Sequence, residues 1–96
     1  MSYALHLVTS ASVDLRALDV VIGEEALDQL ERLDPSSLRV DAYDEAVFDF
    51  ERRVGDLRHV VFVLLHVDHA NRRLTVLTIA DHITAIDESQ QTGGTS

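Results

Sequence analysis

The sequence contains no cysteine, no lysine and no tryptophan, and only one proline and four glycines in 96 residues. Without cysteine there are no disulfides and no thiolate metal sites, which fits a reducing compartment; a cytoplasmic location is expected. Without lysine, all eight basic residues are arginines, set against 17 acids for a formal net charge of −9. Such a surface repels phosphate backbones, so general nucleic-acid binding is not expected, whereas a basic protein partner would suit it. No apolar run reaches the roughly 18 residues of a membrane span. The opening MSYALHLVTS has no basic residue ahead of its apolar ones, so no secretory signal and no membrane partner are expected. A chain of this length makes one domain with a single core.

The charge is unevenly spread. Residues 1–45 hold three arginines against ten acids, whereas residues 46–80 hold five arginines against four. Those five are Arg52, Arg53, Arg58, Arg72 and Arg73, all within the stretch FERRVGDLRHVVFVLLHVDHANRRLTVLTI. Everything else is arranged around that stretch.

Tyr3 to Val8 alternates and predicts a first strand with Tyr3, Leu5 and Leu7 toward the core and His6 toward water. Thr9, Ser10 and Ser12 are candidate caps for a helix over 11–18. The β-branched Val20-Val21-Ile22 followed by Gly23 suits a helix poorly. A second helix is therefore expected from about Glu24 to Leu33, its leucines inward and its acids outward. Asp34-Pro35-Ser36-Ser37 is a stop signal. Leu38 to Glu45 reads as a loop or a short strand.

Ala46 to Val54 predicts a strand with Phe48, Phe50, Arg52 and Val54 on one face and Val47, Asp49, Glu51 and Arg53 on the other. Gly55-Asp56 makes a turn. His59 to Val67, apolar on both faces, has the composition of a central strand. Asp68 to Asn71 closes a hairpin, with Asn71 suited to positive φ. Leu74 to Ala80 is the last predicted strand, and the residues after it turn polar. The fold class is α+β: an N-terminal strand, a helical hairpin, then a three-stranded antiparallel meander, in one sheet with the helices on one face. Residues 1–88 form the single domain, and 89–96 read as a disordered tail.

His66-x-Asp68-His69, with His59 on the same strand, offers imidazoles and a carboxylate near a turn. No further ligands converge in sequence, so solvated histidines and no metal site are expected.

In its order of elements and in the run ERRVGDLRHVVFVLL…NRRLTVLTIADH, residues 3–84 resemble the RelE/ParE superfamily of bacterial type II toxins. Arg52-Arg53, Gly55-Asp56, Arg58, Val60 to Leu65, Asn71 and Ala80-Asp81-His82 occupy the family's positions, and DLRAL…EEALDQLERL looks like its helical hairpin. The resemblance implies one of two activities, held in check by a cognate antitoxin. RelE-like members cut mRNA on the ribosome; ParE-like members poison DNA gyrase.

For RNA cleavage, Arg58 matches a phosphate-contacting arginine that stabilises charge on the phosphorane, and His82 matches a catalytic acid or base. Arg52 or Arg53 would grip flanking phosphates, and Glu51 is the candidate carboxylate. No cofactor is implied. Two features depart from active members: the acidic balance, and a stretch from Asp81 to Glu88 without tyrosine, arginine or lysine. They keep open a partner-binding relative without catalysis, and a homodimer formed through the last strand.

Overall fold

The computed structural model describes residues 3–86. Its elements are β1 (Ala4–Leu7), α1 (Thr9–Ala17), α2 (Val20–Arg32), a 3₁₀ turn (Pro35–Ser37), β2 (Glu45–Val54), β3 (Leu57–Asp68) and β4 (Arg73–Ala85). The expected tail at 89–96 lies outside the described residues.

Two helix expectations are corrected. In α1 the cap is Val8, with no side-chain bond from a hydroxyl. In α2 the β-branched patch is inside the helix, because Asp19 accepts a hydrogen bond from the Val21 amide at 2.9 Å and caps it one turn early. Ile22 then becomes fully buried. Burying it is worth about 1.5–3 kcal/mol, against a β-branched helix penalty of about half a kcal/mol. At Gly23 a Cβ would lie 3.6 Å from the Leu15 carbonyl, an ordinary contact, so the approach of α1 and α2 does not require glycine there.

The four strands form one sheet in the order β1-β4-β3-β2. The meander β2-β3-β4 is antiparallel as expected, but β1 pairs parallel to β4, with Leu5 opposite Leu74 and Leu7 opposite Val76. The sheet is therefore mixed. Both helices lie on one face, over a core of Ile22, Leu30, Val61, Val63, Leu65 and Val76. The alternation expected in β1 and β2 is observed: Leu5, Leu7, Phe48, Phe50 and Val54 pack against that core. The opposite, open face of the sheet carries no helix among the described residues.

The turns hold the strands in register. Gly55 adopts φ 59° between β2 and β3. At the β3–β4 turn the positive φ falls on Arg72 (52°) rather than on Asn71. Asn71 instead donates from both its backbone and side-chain nitrogens to the Asp68 carboxylate, at 3.0 and 2.8 Å.

Candidate functional site on the open face of the sheet

Along β3, His59, Val61, Val63, Leu65 and Val67 are buried under the helices, so Arg58, Val60, Phe62, Leu64 and His66 point to the open face. On β4 the alternation is broken once. Leu64 pairs with Thr78 and Leu65 with Val76, so Leu77 is an extra, bulged residue. Before the bulge Leu74 and Val76 point inward; after it Ile79 and Asp81 do. A bulge of one residue moves every later side chain to the other face. It turns His82 to the open side.

β4 also runs five residues beyond its expected end at Ala80, so His82 is a strand residue paired with Val60. Ile86 continues the alignment, its amide donating to the Asp56 carbonyl at 2.8 Å.

Three adjacent strands therefore bring the candidate residues together. Glu51, Val60 and His82 form one row across β2, β3 and β4; Arg53, Arg58 and Thr84 form the next. Residues in such rows, and on their diagonals, are within reach of long side chains. The Arg58 guanidinium lies 4.0 Å from Glu51 Oε1, with both side chains about half exposed or more (45% and 61%). Arg53 donates from Nε to the Gly55 carbonyl at 3.3 Å.

Arg52 is not part of this group. It lies on the helix face, where its Nη1 meets Glu25 Oε1 of α2 at 2.7 Å. Two guanidiniums, a carboxylate and an imidazole thus share one open surface. It can attract a phosphate and move a proton.

The expectation of solvated histidines is corrected at His59. It is 3% exposed and bonds through Nδ1 to Asp81 Oδ2 at 2.8 Å, with Asp81 Oδ1 buried and unpartnered. The two residues are 22 apart in the chain, and no local spacing signals the pair. His69 is exposed, its Nδ1 sharing a 2.6 Å hydrogen bond with the Tyr3 hydroxyl. Asp68 holds Asn71 and has its pKa lowered from the usual carboxylate value, chiefly through the bond from the Asn71 side chain and then that from its backbone amide. Among the described residues no three histidine, aspartate or glutamate side chains converge as metal ligands.

No protein-family model matches the sequence, and no curated protein matches it significantly. Solved structures do. The isolated RelE toxin of E. coli superposes with a TM-score of 0.58 at 16% identity, covering 98% of this chain and 95% of that one. A chain of the toxin–antitoxin complex RelBE2 from Mycobacterium tuberculosis gives 0.57 at 20% identity, covering 85% and 100%. The RelE–RelB complex of Pyrococcus horikoshii gives 0.50 at 20%, covering 82% and 93%. The chain has the RelE-like toxin fold.

Proposed function

We propose that this chain is the toxin-like component of a type II toxin–antitoxin pair, acting as a RelE-like endoribonuclease on ribosome-bound mRNA. The observation that carries the reading is the gathering of Arg53, Arg58, Glu51 and His82 on the open face. In the reaction a 2′-hydroxyl loses its proton to Glu51 or His82. The freed oxygen attacks the adjacent phosphorus, and the bond to the 5′ oxygen breaks as that oxygen gains a proton from the other group. The products are a 2′,3′-cyclic phosphate and a 5′-hydroxyl. Arg58 stabilises the extra negative charge of the phosphorane, where a positioned cation contributes most, and Arg53 holds a flanking phosphate. Arg52, engaged with Glu25, takes no part. The cognate antitoxin, a protein of opposite charge, holds the chain inactive in a cytoplasmic complex.

A second reading is favoured by one specific observation. On the same face Val47 is 60% exposed and Phe62 42% exposed, beside the acids Asp49 and Glu51 of β2. An apolar patch rimmed by carboxylates suits a protein partner better than RNA. In that reading the chain acts through protein contacts alone, on its antitoxin or on a target such as DNA gyrase.

Induced expression in a bacterial host separates the two. Growth arrest by the wild-type chain, relieved in Arg58→Ala and His82→Ala and accompanied by new mRNA ends, supports the nuclease. Arrest that persists in both variants, without mRNA cleavage, rejects it in favour of a protein target. Equal growth of all three, with folded protein present, rejects both toxic activities and leaves a partner-binding relative.

A further inference from the structure

A recess lies on the helix side, at the opposite edge of the sheet from β2. It is a cleft of about 320 Å³ between β1 and the end of α2. Leu5, Leu30 and Leu74 form its apolar floor, Tyr3 and Leu33 its walls, and Glu31 and Asp34 supply its charge. No basic residue lines it.

The strand beside this cleft is unfinished. β1 is the end strand of the sheet. At its two ends the Ala4 amide donates to the Arg72 carbonyl just before β4, and the amide of Val8, the residue after β1, donates to the Val76 carbonyl of β4. In a parallel pair successive residues face opposite edges, so the amides and carbonyls of Leu5 and Leu7 are directed away from β4. No strand among the described residues pairs them. An edge left in this way is a template for another strand, and β1 has neither lysine nor proline to discourage one. A strand added there would send alternate side chains to the face that Tyr3 and Leu5 occupy, which is into the cleft.

We propose that this groove takes an extended, basic segment of a partner protein, which adds to the β1 edge and lays an arginine or lysine stem over the leucine floor with its charge against Glu31 and Asp34. Long basic side chains bury an apolar stem while keeping the charged head at a polar rim. Asp34 is kept ionised: the Ser36 hydroxyl and amide both donate to its Oδ1, at 2.8 and 3.0 Å, and hold its pKa below the usual carboxylate value. Nucleic acid is disfavoured by the two carboxylates. The chain's own residues 87–96 carry Asp87 and Glu88 and no base, so like charge disfavours them too. A second copy fares no better, because its arginines lie on helices, on paired strands or in the loops between them. The inference is independent of RNA chemistry on the open face, which lies on the other side of the sheet.

The test is an amide NMR titration of the ¹⁵N-labelled full chain with a blocked eight-residue peptide alternating valine and arginine. A peptide with glutamate in place of arginine is the control. The arginine peptide is expected to shift and protect the Leu5 and Leu7 amides, and the glutamate peptide to leave them unchanged. Glu31→Lys is expected to weaken binding at least tenfold. Glu24→Lys, the same charge change elsewhere on α2, is expected to alter it less than twofold. The proposal is overturned if the arginine peptide leaves those amides unchanged up to millimolar concentration. Equal binding of the two peptides, or equal effects of the two lysine variants, would overturn it as well.

Discussion

His59 on β3 and Asp81 on β4 are joined on the helix face by a 2.8 Å hydrogen bond, and their side chains are only 4% and 10% exposed. Each is the chain neighbour of a candidate site residue, Arg58 and His82, whose side chain leaves the opposite face. The pair therefore ties the two strands together directly behind the site. Removing one partner would strand a buried polar group, at a cost of about 2–4 kcal/mol. Asp81→Ala is expected to lower unfolding free energy by that amount in urea titrations. His59→Leu combined with Asp81→Leu is expected to recover at least half of the loss. A double variant as unstable as Asp81→Ala would mean that packing, not the polar pair, decides this position.

Arg52 of β2 and Arg58 of β3, on opposite faces of the sheet, should behave differently. Arg52 bridges to Glu25 with its side chain about half exposed (46%), so Arg52→Ala is expected to cost only about 0.5 kcal/mol. It should change any cleavage rate less than threefold. Arg58→Ala should lower that rate about 100-fold or more with little change in melting temperature. Rates and melting curves measured on the same preparations check both halves. Equal losses in the two variants would place the chemistry elsewhere.

Gly55 stands at φ 59° with open space where a Cβ would go. The cost of a side chain there is conformational rather than steric. Gly55→Ala is expected to destabilise by about 1 kcal/mol, and Gly55→Asn by less, since asparagine tolerates the left-handed region. Chemical denaturation of the three proteins ranks them.

Asp34 and Asp68 both have lowered pKa values, from bonds donated by Ser36 and Asn71. A carboxylate whose folded pKa is depressed adds stability that is fully present above its unfolded value, about 3.9. That stability is lost as pH falls through the folded value. Melting temperature is therefore expected to be insensitive to these two groups near neutrality and to fall with them below about pH 4. In Asp68→Asn the acid-side fall should be shallower. An unchanged acid limb in that variant would remove Asp68 from the account.

Much of the fold was legible in the residues. The alternation of β2 already separated Arg52, beside Phe48 and Phe50, from Arg53 and Glu51. The buried composition of 59–67 marked a central strand, and Gly55 marked its entry turn. These are local signals: a period of two, a turn residue, a helix face. The start of α2 is not legible locally, because propensity at Val20-Val21-Ile22 opposes a helix while the Asp19 cap and the burial of Ile22 outweigh it.

What the sequence by itself determined is an acidic α+β chain, its elements in order and the inward faces of β1 and β2. Only the tertiary structure decided which residues meet. The parallel pairing of β1 comes from contacts made some 70 residues apart in the chain, as with Leu5 and Leu74. The bulge at Leu77, which sends His82 to the arginine face and Asp81 to His59, depends on how β4 lies against β3. Neither has a local signature, because a side chain's face is set by strand pairing across the whole sheet and not by its neighbours in sequence.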